Sequence, residues 1–412
     1  MGNSERLRLI SFLTILLSAV SCVPRGSDAL AGQRISRLEN GLVEFRSVKD
    51  LFQAEGVKRE DLRMLTERMK HYLTPGVSIA VIKDFAIYGA KPYGVLRSGD
   101  GRPVRTDSYF EAASTSKMVT AAIVLHYVEQ GLLDLDEDIN AYLRSWKMAE
   151  NDLTRRKKVT LRLLLTHQAG LPATDFPQKE GAGDPTLLQI LNGESPALNK
   201  PAVVEFVPGS KWQYSNIGYA VIQMVLEDAV GKPFPQIARE TVFGPLGMKN
   251  STFVYPLDPK GQANEAWPHD ETGALRRPGM VPNAMAHGGL MTTPSDLAVF
   301  AIELMRAYNG RSRRLLSKEM VRRMFTKAID LDPGIFGIPL GEGLGVFLYG
   351  EGDDLGFLHP GGNAPGMNCW LLGYPKTGGG AAVMTNGAKG EILALEIISA
   401  INREYGHPGL TL

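Results

Sequence analysis

Short apolar runs with strand character stand at both ends of this chain, and helical patterns fill the space between them. That arrangement constrains the fold more than any other feature. Pro75-Gly76 punctuates the chain, and Val77-Ser78-Ile79-Ala80-Val81-Ile82 follows as an uninterrupted apolar run. A run of this length after turn residues reads as a buried strand. A second strand is expected over 86–93. Near the other end, Gly345-Val346-Phe347-Leu348, Cys369-Trp370-Leu371-Leu372 and Ala381-Ala382-Val383-Met384 are short apolar runs split by glycine-rich turns, and a last helix is expected over 391–404. The region 132–310 reads as mostly helical and loop-rich, with an irregular Pro-, Gly- and Asn-rich excursion over 173–210. Upstream, Leu38, Leu42 and Phe45, then Leu62, Leu65 and Met69, carry helical spacing. These elements predict an α/β (α+β) fold in which N- and C-terminal segments build one sheet and the helical region is an insertion beside it.

Composition narrows the functional classes. The 412 residues are 44% hydrophobic and 22% charged with a formal net charge of +1, which is ordinary globular composition. There is no basic footprint for nucleic acid; the densest cationic patch, Arg155-Arg156-Lys157-Lys158, reads as a solvated loop. With two cysteines, Cys22 and Cys369, no disulfide framework or cysteine metal site is available, and Cys369 reads as a buried small hydrophobe. No His-x-x-x-His pair exists to start a zinc site, so no metal and no cofactor are expected.

The N-terminal residues form a separate object. Arg6 and Arg8 precede an apolar run from Leu9 to Val20, the length of a signal-peptide core. The run ends in Ala19-Val20-Ser21-Cys22, which resembles a bacterial lipobox with alanine in place of the usual leucine. A competing cleavage point follows Ala29-Leu30-Ala31. Met1-Gly2 is not read as a myristoylation signal, because Arg6 stands where Ser or Thr is wanted. The expected organisation is a signal peptide over 1–22, a linker over 23–34 and one globular domain over 35–405. The product would be exported, periplasmic or held at a membrane through a lipidated Cys22.

Three short motifs carry chemistry. Ser114-Thr115-Ser116-Lys117 is the only Ser-x-x-Lys in the chain, at the start of a helical run that extends to Gln130 with Gly131 as C-cap. Residues three apart share a helix face, so the Lys117 amine reaches the Ser114 hydroxyl. A desolvated lysine has a lowered pKa and can take the serine proton. Tyr214-Ser215-Asn216 follows the turn Pro208-Gly209-Ser210 and precedes a helix. A phenol beside an ammonium is expected to shift toward phenolate and to shuttle a proton. His359-Pro360-Gly361-Gly362 lies between apolar runs, where its glycines let backbone approach a ligand and offer an N–H to an oxyanion.

With these motifs in this order, the chain resembles the serine penicillin-recognising enzymes, in the branch of class C beta-lactamases, D,D-peptidases and beta-lactamase-like esterases. Further matching segments are Leu165-Thr166-His167-Gln168-Ala169-Gly170-Leu171, Pro245-Leu246-Gly247-Met248 and Gly288-Gly289-Leu290-Met291-Thr292-Thr293-Pro294. The resemblance spans about 35–405. It implies an antiparallel sheet flanked by helices, and an acyl-enzyme on Ser114 with Lys117 and Tyr214 sharing the proton work. It also implies that Asn216 positions Lys117 and the substrate. The Ser114 and Gly362 N–H groups would form the oxyanion hole, with His359 and Gly361 beside the substrate.

Lys376-Thr377-Gly378 spells the lysine form of the third motif but sits between two apolar runs and reads as a hairpin turn. The third motif is therefore assigned to His359-Pro360-Gly361. A histidine there points to an esterase or D-amino-acid peptidase acting on a small molecule or peptide. A class C-like beta-lactamase and a non-catalytic penicillin- or ligand-binding protein are the alternatives. Pro360 is unusual there because it removes a backbone donor. Gly76-Val77-Ser78-Ile79-Ala80 faintly imitates a nucleophile elbow, but its serine lies within a strand pattern.

Overall fold

The computed structural model describes residues 33–43, 62–333, 339–363 and 365–408. Its centre is an eight-stranded antiparallel sheet made of β1 (Gly76–Lys83), β2 (Ala86–Gly94), β3 (Ile329–Asp330), β4 (Gly341–Glu342), β5 (Phe347–Tyr349), β6 (Gly356–Gly362), β7 (Asn368–Tyr374) and β8 (Gly379–Thr385). The strand order is β2-β1-β8-β7-β6-β5-β4-β3. The N-terminal hairpin thus joins the C-terminal meander where β1 pairs with β8, Ala80 opposite Ala382.

The uninterrupted apolar runs follow from burial on both faces. Along β1, Val77, Ile79 and Val81 enter one core and Ala80 and Ile82 the other; along β7, Trp370 and Leu372 oppose Cys369 and Leu371. One face is covered by the C-terminal helix, Gly390–Tyr405, and by Leu65–His71. The other carries α1 (Ser116–Glu129), α2 (Asn216–Val230) and α3 (Pro294–Tyr308). Ser78 lies inside β1 and is buried, which removes the elbow reading.

Several local expectations change. Leu42–Val43 pairs with Leu62–Arg63 as a two-stranded ribbon instead of continuing a helical stripe, while Phe45 and Cys22 lie outside the described residues. Arg155 and Arg156 end a short exposed helix, Asp152–Arg156, and Lys158 pairs with Glu150. The segment His359-Pro360-Gly361-Gly362, despite a composition typical of turns, forms the second half of β6. Proline is tolerated there because β5 pairs only with Gly356, Phe357 and Leu358, leaving 359–362 an edge on that side. Lys376-Thr377-Gly378 is indeed the β7–β8 hairpin, with Gly378 at φ 70°. It lies at the end of β7 opposite the Gly362–Asn368 pairing.

Candidate active site

Ser114 precedes α1 rather than lying on it, in a 3₁₀ turn over Ala113–Thr115. Ala113 is held at φ 45°, a left-handed conformation that costs a non-glycine residue about 1–3 kcal/mol. The chain thereby turns sharply at the serine, and Phe110–Glu111, paired with Met291–Thr292, anchors the approach. Ser114 stays half-exposed, whereas Lys117, in the first turn of α1, is fully buried.

The two side chains meet as the spacing predicts: Lys117 Nζ lies 3.0 Å from Ser114 Oγ. Its other hydrogen bond goes to the carbonyl of His287 at 2.7 Å. Burial holds the Lys117 pKa well below the ordinary lysine value, opposed by the nearby carboxylates of Asp175 and Glu342. Tyr214 lies beside the Ser114 side chain, which tempers its phenol pKa, and its ring lies 4.9 Å from Lys117 Nζ. The expected drift toward phenolate does not occur. Desolvation dominates and pushes the phenol upward, so burial disfavours the charged form of both Lys117 and Tyr214.

The second half of β6 closes the other side. Thr115 Oγ1 donates to the His359 carbonyl at 3.1 Å, and Gly361 lies directly on the backbone of the nucleophile turn. A Cβ on Gly361 would sit 2.8 Å from Thr115 N and nearer still to the Ala112 carbonyl oxygen. Gly362 follows opposite Asn368 and is exposed. His359 is 2% exposed, and burial with the Lys117 charge lowers its pKa to about 3. Its Nδ1 lies 2.7 Å from the Pro360 carbonyl.

Among the described residues Asn216 makes no hydrogen bond to Lys117. It opens α2 behind the N-cap Ser215, and its Nδ2 donates to Asp175 Oδ1 at 3.0 Å. A carboxylate only accepts, so this contact sets which way the amide faces.

Sequence reasoning missed the polar group behind the lysine. Glu342 on β4 is 1% exposed, accepts from Trp212 Nε1 and lies 3.9 Å from His167 Nε2. Burial drives its pKa well upward. His167 sits at φ 53° and accepts at Nδ1 from the Ser215 N–H, 3.1 Å, so in its neutral form the ring proton is on Nε2, facing Glu342. A single acid inside the apolar, glycine-rich stretch Gly341-Glu342-Gly343-Leu344-Gly345-Val346-Phe347 was the available signal. Among the described residues no group of three or more His, Cys, Asp or Glu side chains could hold a metal ion.

An antiparallel sheet over helices, with Ser-x-x-Lys at a helix start facing a Tyr-x-Asn turn and a glycine edge strand, defines the penicillin-recognising architecture. The chain belongs to the beta-lactamase family, whose model, described as Beta-lactamase, matches residues 63–399. It is 28% identical over 286 residues to a putative D-alanyl-D-alanine carboxypeptidase of Escherichia coli O157:H7, covering 61% of this chain and 64% of that protein, so it spans less than two thirds of that relative. It is 29% identical over 328 residues to penicillin-binding protein 4 of Amycolatopsis lactamdurans, covering 78% and 82%. A similar solved structure is an octameric penicillin-binding protein homologue from Pyrococcus abyssi, with TM-score 0.69, 24% identity and coverage of 83% and 76%. Another is the D-alanine carboxypeptidase AmpC from Burkholderia cenocepacia, with TM-score 0.64, 21% identity and coverage of 82% and 95%. At these identities the structural likeness is one of fold.

Proposed function

We propose that this protein is a serine hydrolase that cleaves a small ester or a D-amino-acid amide through an acyl-enzyme on Ser114. The observation that carries the reading is the 3.0 Å contact between Ser114 Oγ and the Nζ of a fully buried Lys117 whose charged form burial disfavours. As a free amine, Lys117 gives one N–H to the His287 carbonyl and keeps its lone pair for the Ser114 proton. Oγ attacks the substrate carbonyl as that proton moves to Nζ. The negative oxygen of the tetrahedral intermediate is met by the N–H groups of Ser114 and Gly362, a donor pair whose loss costs about 3 kcal/mol of barrier. Tyr214, beside the Ser114 side chain, relays the proton to the leaving group, and water reverses the sequence to release the acid. The buried His359 supports the edge strand beside the substrate.

The decisive experiment is incubation with a fluorophosphonate or fluorescent penicillin followed by mass spectrometry. An adduct on Ser114 that disappears in Ser114→Ala is expected; no adduct would favour a non-catalytic binder. Nitrocefin, short p-nitrophenyl esters and a D-Ala-D-Ala peptide, run in parallel, then separate beta-lactamase, esterase and peptidase.

The cellular setting is part of the proposal. The segment 1–22 is a leader for export to the periplasm, with Cys22 as lipid anchor, followed by a linker to 34 and the catalytic domain over 35–405. Among the described residues no helix is long and apolar enough to cross a membrane. Incorporation of labelled palmitate that is lost in Cys22→Ala tests the anchor.

A further inference from the structure

Asn216 opens α2 at the site, and its Nδ2 gives one N–H to Asp175 Oδ1 at 3.0 Å. A substrate carbonyl arriving beside Asn216 would compete with a carboxylate for that donor. What the Asn216–Asp175 pair offers instead is the second carboxylate oxygen of Asp175, which makes no hydrogen bond or ion pair among the described residues. Asp175 is exposed, and its charge acts on both Lys117 and Tyr214.

Asp175 is fastened within the site and is not a stray loop acid. The next residue, Phe176, is buried and packs edge-on against His287 at 4.7 Å between ring centroids, and the His287 carbonyl holds Lys117. Upstream, Ser215 Oγ donates to the Pro172 carbonyl at 2.8 Å, and Gln213 Nε2 donates to the Leu171 carbonyl at 3.0 Å. The 171–176 segment is thereby pinned to both sides of the Tyr214 turn. Burial disfavours the charged forms of Lys117, His167 and His359, so they are poor counter-ions for Asp175.

We propose that Asp175, clamped by Asn216, is a subsite for a substrate ammonium group, so that the site accepts amides or esters of amino acids bearing a free amine beside the scissile carbonyl. The inference rests on the serine hydrolase reading for its reaction, but its binding prediction is independent of turnover. The carboxylate accepts an N–H from the ammonium, a charge-assisted bond, while acylation of that amine removes both the charge and donors.

The test is calorimetric binding to the Ser114→Ala protein, with D-alaninamide and N-acetyl-D-alaninamide as probes. The free amine is expected to bind a few-fold tighter, up to about fivefold, and Asp175→Asn in the same background is expected to level the two. Equal or tighter binding of the acetylated probe, or a preference that survives Asp175→Asn, overturns the proposal. In the enzyme with Ser114 intact, Asp175→Asn should abolish the preference in kcat/KM for D-alanine p-nitroanilide over its N-acetyl form. Failure of the fluorophosphonate to label Ser114 would refute the hydrolase reading and leave the binding comparison to decide this one.

Discussion

Gly361→Ala offers a severe test of how β6 meets the nucleophile turn. The new methyl would sit 2.8 Å from Thr115 N and 2.9 Å from Thr115 Oγ1, and closer still to the Ala112 carbonyl oxygen. These neighbours are mainly backbone, so relief requires the strand and the turn to separate by about 1 Å, a displacement that can cost roughly 100-fold in rate. The same crowding costs about 1–3 kcal/mol of stability, a loss of several degrees in Tm for a chain of this size. The assay is the rate of Ser114 labelling by a fluorophosphonate, alongside p-nitrophenyl acetate turnover and a thermal melt. Gly362→Ala is the control, because its Cβ meets Asn368 Oδ1 at 3.1 Å and the Met367 carbonyl oxygen at 3.8 Å, and its N–H is kept. A wild-type labelling rate in Gly361→Ala, or equal losses in the two variants, would refute the reasoning.

Other consequences follow from burial. Lys117→Arg installs a permanent cation that cannot serve as a base, so turnover should fall by about 10²–10⁴-fold in a steady-state ester assay. The acid limb of the wild-type pH–rate profile should lie well below 10.5, with activity lost as pH falls through the depressed Lys117 pKa. Glu342 has a raised pKa in the folded state, so above its unfolded value the native protein holds more protons than the unfolded chain, and stability falls as pH rises. Glu342→Gln should therefore gain on wild type by up to about 1.4 kcal/mol per pH unit in that window, read from melts across the pH range. Cys369 is fully buried and burial pushes its thiol up to about 12, so iodoacetamide should modify it only in denaturant.

Much of the sheet was legible in the sequence because a strand buried on both faces writes itself as an unbroken apolar run, as Val77 to Ile82 does. The C-terminal half of β6 was not, because His359-Pro360-Gly361-Gly362 has turn composition. Its extended conformation depends on pairing with β7, Pro360 opposite Trp370, which no local pattern records. The Ser114–Lys117 contact was readable from spacing alone, and so was the hairpin character of Lys376-Thr377-Gly378. Ser114 nonetheless lies in a 3₁₀ turn before the helix, since strain at Ala113 is imposed by the approach through Phe110–Glu111.

Identity and order of the reactive groups therefore belong to the sequence: Ser114 with Lys117, then Tyr214, then the glycine strand. The tertiary structure alone decided their protonation and partners. Desolvation is a property of everything packed around a group, and the atoms that bury Lys117 come from segments far apart in the chain. That is why the charged forms of Lys117 and Tyr214 are both disfavoured, where spacing alone suggested an ammonium beside a phenolate. For the same reason the Lys117 partner is the His287 carbonyl, Glu342 stands behind it, and Asn216 is turned toward Asp175.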